Sequence, residues 1–378
     1  MIFRFIFIAL AISVTGCVNT TKSTFNNLNT QKADSVFVPK YAKGFMVEYY
    51  DGYKLLKIKN PFDSLSADKI ICIQTDSSCP INDVKSGSHI YLSNHNWIAL
   101  SSTQISSANL LSVKDLIIGV AEPKYISDNY IHQQLEKGNI RNIGMAMSPD
   151  LEIIQACNPA FIMVSPFPDI SYKRIEEAGI AVVPNGSYME STPLGRAEWL
   201  IFSGQLFNLE HKAKKIFNQI EQRYNHLKLF ADSLHDMPTL FTGHLYQGIW
   251  NTPQKDNYMA CFFKDAKTNY IFNDEPGSGT LMLEFETVYD KAFQTDYWLI
   301  IVNSQEKFSY QNLLDMDSRY ADFKAYKDKR IIYTNVNKSK FFESAEQEPD
   351  VVLADIINAT HPNTLDHYKP VYFFTLLK

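Results

Sequence analysis

The sequence carries no surplus of positive charge. Its 36 Lys and Arg stand against 41 Asp and Glu, for a net charge of -5, so no basic stripe is available for a phosphate backbone and nucleic-acid binding is excluded. A polyanionic partner is unexpected for the same reason. Motifs of hydrolytic and phosphoryl chemistry are also missing: there is no G-x-S-x-G, no G-x-x-x-x-G-K-[ST] and no H-E-x-x-H. Gly277-Ser278-Gly279-Thr280 has neither the lysine nor the preceding strand of a phosphate loop and reads as a flexible turn. The nine histidines are scattered, and no C-x-x-C or C…H spacing supports a metal. No short-period repeat occurs, and after the first 17 residues no apolar run approaches the roughly 20 residues needed to span a bilayer. What is present is apolar material: 45% hydrophobic against 20% charged residues in a chain of 378, enough for a full core in two lobes, which excludes disorder and fibrous architectures. The 21 Tyr and 25 Phe suit surfaces that grip something large and partly polar.

The first 17 residues stand apart. Arg4 precedes an apolar run from Phe5 to Val14, which ends in Val14-Thr15-Gly16-Cys17; the run is too short to span a bilayer as a helix. This pattern resembles a bacterial lipoprotein signal. The resemblance implies that residues 1–16 are removed, that Cys17 is lipidated, and that the protein sits in the periplasm, held to a membrane by its lipid. Which leaflet holds the anchor is left open. Residues 17–43, rich in Asn, Thr, Ser and Lys, read as a flexible tether. In an oxidising compartment Cys72 and Cys79 could pair across the turn Asp76-Ser77-Ser78, whereas Cys157 and Cys261 lie in apolar helical stretches and read as small buried residues.

Three styles follow the tether. Strand-like runs at Phe45–Tyr50, Lys54–Lys59, Lys69–Gln74 and His89–Tyr91, broken by Asp51-Gly52, Asn60-Pro61 and Gly87, predict an antiparallel ribbon on one edge. From Ile98 short apolar strands alternate with amphipathic helices, the signature of a parallel sheet covered by helices. Thr192-Pro193 is a helix start, with a capping hydroxyl followed by proline in the first turn. A second helix, Leu209 to Leu234, repeats Ala213, Ile216, Phe217, Ile220, Tyr224 and Leu227 at three- and four-residue intervals, and its length suits a rigid strut between lobes. The expected division is an N-terminal lobe over 44–192, linker helices over 193–235 and a C-terminal lobe over 236–378. The fold class is α/β, with two Rossmann-like lobes joined by a long rigid helix.

The stretch Tyr188 to Trp199, Phe342-Glu343, Glu348 to Asp355 and His361-Pro362 resembles the helix-linked periplasmic substrate-binding proteins of bacterial ABC importers for iron complexes and cobalamin. Ser101-Ser102-Thr103, Gly119-Val120, Asn158-Pro159-Ala160 and Ala266 to Tyr270 fall in that family's order, and the likeness runs from Ile98 to the C-terminus. It implies a ligand held between the lobes, docking of both lobes on a permease dimer, a monomeric protein without catalysis, and no cofactor. It also implies that glutamates at the lobe tips meet permease arginines: Glu152 in one half, and Glu286 or Glu284 in the other, with Glu286 the better match. Helix capping is the alternative role for these acids.

Loops at the carboxyl ends of strands converge on the cleft of an open α/β sheet. That rule selects Ser101, Ser102 and Thr103, then Ser165–Asp169 and Asn185–Glu190. In the second half it selects His244, Tyr246, Gln247 and Trp250, then Asn303–Lys307 and Asn335–Lys338. Tyr188, Tyr246 and Trp250 are candidates to stack on a bulky ligand. Arg196 is expected to anchor Glu198 or Glu343 rather than to meet an anionic ligand. The leading function is capture of an iron-siderophore, haem or corrinoid for delivery to the permease. The alternatives are an envelope hydrolase with two facing carboxylates and a ligand-holding lipoprotein partner of an outer-membrane receptor.

Overall fold

A computed structural model describes residues 32–62, 68–74, 89–92 and 95–376. Five strands open the chain: β1 (Ser35–Phe37), β2 (Phe45–Tyr50), β3 (Tyr53–Ile58), β4 (Lys69–Gln74) and β5 (His89–Tyr91), in that spatial order. β2 and β3 meet across Asp51-Gly52, with Tyr50 opposite Tyr53 and Gly52 at φ 79°, a conformation open to glycine at no steric cost. The expected antiparallel ribbon needs two corrections. β5 runs parallel to β4, a pairing that no tight hairpin turn can make. The sheet also buries a face rather than lying along an edge: Phe45, Val47, Leu56, Ile58, Ile71 and Ile73 join the core of the N-terminal lobe.

The N-terminal lobe follows in β6 (Trp97–Ala99), α1 (Ser102–Leu111), β7 (Ile117–Val120), α2 (Asn129–Glu136), β8 (Arg141–Asn142), the hairpin strands β9 (Gly144–Met145) and β10 (Ser148–Pro149), α3 (Leu151–Cys157), β11 (Phe161–Val164), α4 (Lys173–Glu177) and β12 (Ala181–Pro184). Its sheet has the order β12-β11-β6-β7-β8, and every pairing is parallel. Strand alternation divides the interior. Trp97, Phe161, Met163 and Val183 face the linker helices, while Ile98, Ile162, Val164 and Val182 pack with Ile154 of α3 and Ile175 of α4 on the opposite side.

Two helices link the halves, α5 (Pro193–Leu206) and α6 (Glu210–Asp232). The Thr192 hydroxyl caps α5 by accepting from Gly195 N, as its sequence predicts. α6 spans 23 residues, about 34 Å, and its apolar stripe changes allegiance partway along. Ala213, Phe217 and Ile220 belong to the N-terminal core. Tyr224 and Ala231 belong to the C-terminal core.

The C-terminal lobe contains β13 (Thr239–Thr242), β14 (Leu245–Tyr246), β15 (Ile249–Pro253), α7 (Tyr258–Asp265), β16 (Asn269–Tyr270), β17 (Thr280–Leu283), α8 (Phe285–Ala292), β18 (Tyr297–Val302), α9 (Tyr310–Met316), α10 (Lys324–Lys327), β19 (Ile331–Asn335), α11 (Phe341–Ser344), α12 (Pro349–Thr360) and β20 (Phe374–Thr375). Its main sheet, β16-β13-β18-β19-β20, is parallel apart from β20. The antiparallel strands β14, β15 and β17 form a separate sheet. The two lobes thus own distinct sheets.

The stretch expected to be tether is folded over its last part. Beyond β1, the buried Glu198 carboxylate accepts the backbone N–H groups of Lys40, Tyr41 and Ala42 at 2.8, 2.7 and 2.8 Å. Glu190 accepts those of Lys43 and Gly44, together with the Trp199 indole N–H. Five successive amides therefore rest on two acids of the linker region, and a buried acid is stable when its oxygens are saturated in this way. Cys17 and Cys79 lie outside the described residues, as do the leader and the proposed turn at 76–78; Cys72 is buried in β4.

Candidate ligand-binding site

Each sheet presents the carboxyl ends of its strands to a pocket. In the N-terminal lobe the pocket measures 310 Å³ and is lined by Ser101, Glu122, Met145, Met147, Phe167 and Tyr172 among others. Ser101 begins α1, and Gln104 folds back so that its Oε1 accepts from Leu100 N and Ser101 N, while the Ser101 and Thr103 hydroxyls bond each other at 2.9 Å. This fixes the loop. Tyr188 stacks on Phe167 with ring centroids 5.4 Å apart, and its hydroxyl donates to Pro166 O. Burial raises the Tyr188 pKa, so it remains a neutral donor. Of the predicted residues on this side, Ser101, Ser165 and Phe167 line the pocket, whereas Ser102, Thr103 and Tyr188 are not in its lining.

The C-terminal pocket measures 450 Å³ and includes Gly243, His244, Tyr246, Asn251 and Asn257. Tyr246 is 64% exposed on its rim. Gly243 is required: at φ 98°, a Cβ there would lie 2.2 Å from Asn251 O. Trp250 corrects the sequence reading. It is 0% exposed, donates its indole N–H to Thr242 O at 2.9 Å, and packs against Phe241, Trp298 and Tyr320. Strand alternation turns Trp250 inward, whereas its neighbour Ile249 is exposed.

Behind the pockets the lobes touch through buried polar groups. Glu343 of α11 accepts from Ser127 N at 2.8 Å and Ser127 Oγ at 2.6 Å. Glu346 is buried, and burial pushes its pKa up, with the Ser187 hydroxyl bond and the Arg196 charge opposing. Arg196 pairs with neither Glu198 nor Glu343, contrary to the sequence expectation. Its Nε donates to Glu190 O, and its guanidinium lies 3.8 Å from the ring centroid of Tyr258, a planar stack suited to arginine. Glu198 is already occupied by the amides of residues 40–42.

The two glutamates expected at the lobe tips, Glu152 and Glu286, are exposed. Glu152 lies in the first turn of α3, which Asp150 caps, and Glu286 lies in the first turn of α8, which begins at the cap residue Glu284. Glu286 also accepts from Arg319 at 3.1 Å, and that arginine stacks on Phe285. Exposed Met145 and Met147 lie near Glu152 in sequence, as Met282 does near Glu286.

Glu122 escaped the sequence reading. The loops that the sequence rule selects in this half follow β6, β11 and β12, whereas Glu122 follows β7. Among the described residues, no group of three or more His, Cys, Asp or Glu is arranged to hold a metal, and no helix is long and apolar enough to cross a membrane.

A two-lobed α/β body, with a rigid helical link and pockets at the carboxyl ends of both sheets, defines a solute-binding architecture. The chain belongs to the periplasmic binding protein family, whose model matches residues 98–336; the family and its structural neighbours are substrate-binding transport proteins, not enzymes. It is similar to an uncharacterised lipoprotein of Methanocaldococcus jannaschii, 25% identical over 95% of this chain and 92% of that one. Among solved structures it resembles a periplasmic heme-binding protein from Pseudomonas aeruginosa, with TM-score 0.58, 13% identity, and 75% of this chain and 99% of that one covered. It also resembles a protein of an ABC-type Fe3+-hydroxamate transport system from Saccharomonospora viridis, with TM-score 0.55, 14% identity, and coverage of 81% and 98%. At such identities the likeness is one of fold.

Proposed function

We propose that this protein is a lipid-anchored, monomeric substrate-binding protein of an ABC importer. It captures an iron-siderophore, haem or corrinoid between its lobes and delivers it to a permease dimer, with Cys17 as the lipidated residue and the periplasm as its location. The observation that carries this reading is the pairing of two pockets, one on each sheet's carboxyl edge, with a helix whose opposite ends are built into the two cores. A helical link favours small closure motions, so affinity rests on a preformed cleft. Ser101 and Tyr246 contribute directly to that cleft, and Ser102, Thr103 and Tyr188 shape it. The hydrolase alternative needs two facing carboxylates, whereas the linings of these two pockets hold one, Glu122, among the described residues.

Glu152 and Glu286 are the docking residues, with Glu284 as the second choice in the C-terminal lobe. Replacing both with arginine, Glu152→Arg and Glu286→Arg, leaves ligand titrations of the purified body unchanged and abolishes uptake in cells that carry the permease. Uptake that survives the double exchange favours the outer-membrane receptor partner instead.

A further inference from the structure

Glu122 occupies a backbone position that neither it nor its neighbour prefers. It sits at φ 45° and ψ 57°, the left-handed region that L side chains with a Cβ avoid, and it immediately precedes Pro123, which disfavours helical conformations of either hand at this position. The surroundings impose this geometry: Glu122 N donates to Gly144 O, and its carbonyl accepts from Tyr125 N. Glu122 lies on the wall of the N-terminal pocket, where its carboxylate accepts a long bond, 3.4 Å, from Ala146 N. Strain retained at a pocket wall marks a position held for a purpose other than stability.

An adjoining pocket of 770 Å³ shares Phe167 and Tyr172 and carries Lys59, Lys69 and Lys173, with Lys69 paired to Glu176 and Lys173 to Glu177; the two pockets at the sheet ends are one-sided in charge. Among the described residues, neither pocket is lined by a lysine or arginine, and Glu122 is the charged group that they contain. Nearby Lys124 turns onto Tyr125, 4.6 Å from the ring centroid; Lys307 and Lys338 are exposed and line neither pocket. Across the cleft, His244 Nδ1 lies 2.9 Å from Leu245 O. A carbonyl can only accept, so Nδ1 carries a proton and donates. The Glu122 carboxylate is thus the charged acceptor in the two linings. A polyanionic ligand held between these two linings would lose its hydration and gain no cation from them in return.

We propose that Glu122 sets the charge selectivity of the cleft, admitting metal chelates whose outer shell is uncharged or cationic and donates hydrogen bonds, and rejecting polyanionic chelates. Amide-bearing corrinoids and hydroxamate chelates fit this description; catecholate chelates do not. The inference rests on the capture function proposed above.

Titrations of the purified body with three probes test it: cationic ferrioxamine B, neutral cyanocobalamin and polyanionic ferric enterobactin. The native protein binds ferrioxamine B or cyanocobalamin and leaves ferric enterobactin in solution. Glu122→Lys weakens the cationic or neutral probe on the order of tenfold to a hundredfold, as expected for loss of a charge-assisted bond, and admits ferric enterobactin. Glu122→Gly relieves the left-handed strain, so it folds, unfolds at a higher temperature than the native chain, and loses the charge preference. Native binding of ferric enterobactin at least as tight as the other probes, an unchanged ranking in Glu122→Lys, or a less stable Glu122→Gly each overturns the assignment. Failure of all three probes to bind the native protein instead removes the capture function itself.

Discussion

The two lobes share an α/β style, with different strand orders, and differ in what fills them. The N-terminal sheet packs largely aliphatic side chains on its outer face, Ile98, Ile154, Ile162, Val164 and Val182, while the C-terminal lobe is organised around a block of rings: Phe241, Trp250, Trp298, Tyr320 and Phe323. The difference explains why an aromatic residue on a cleft-proximal strand has opposite meanings in the two halves. In the N-terminal lobe an aromatic near the cleft, such as Tyr188, stands outside the core and stiffens a loop. In the C-terminal lobe Trp250 is itself a structural centre.

The comparison breaks most decisively at Trp250. Trp250→Ala removes the middle of the ring block and leaves Thr242 O without its donor, so chemical denaturation of the C-terminal lobe shifts by about 3 to 5 kcal/mol. Ligand affinity of the fraction still folded stays near native, which is the outcome that separates a core residue from a binding one. The N-terminal counterpart is polar rather than aromatic. Glu198→Ala strips three amides, the one at Ala42 buried, of their acceptor and costs about 3 kcal/mol, read as amide exchange that accelerates over residues 40–42 before it does in the C-terminal lobe. The smallest effect concerns acid stability. Burial raises the pKa of Asp296, but bonds from Lys324 and from the Thr239 hydroxyl and amide outweigh it and bring the value down to about 2 from 3.8. A depressed folded value contributes stability above the unfolded pKa and loses it as pH falls towards the folded one. Asp296→Asn therefore lowers the stability of the C-terminal lobe at neutral pH, flattens the acid limb of its profile between pH 3.8 and about 2, and converges with the native protein below that.

Much of this architecture was legible in the residues. α6 declared itself by apolar spacing, α5 by Thr192-Pro193, and four strands of the N-terminal sheet by alternation between turn signals, because these depend on local periodicity and capping. Features set by distant partners were not legible. Trp250 is buried because Phe241, Trp298 and Tyr320 converge on it from three other places in the sequence. β1 and the amides of residues 40–43 look like tether in the sequence, since nothing in Lys40-Tyr41-Ala42-Lys43 announces that Glu190 and Glu198 await them. The left-handed turn at Glu122 is invisible for a similar reason: Glu-Pro alone does not favour it, and only the bonds to Gly144 and Tyr125 enforce it.

The unbroken run of α6 from one core into the other carries a consequence for how this architecture can vary. Because each added residue advances a helix by about 100°, an insertion between Ile220 and Tyr224 would swing one half around the axis as well as lengthen the spacing. Additions that restore the azimuth come in steps of about seven or eleven residues. The connecting rod is thus indexed like a keyed shaft, and its length can change only in increments that return both halves to the same angular setting.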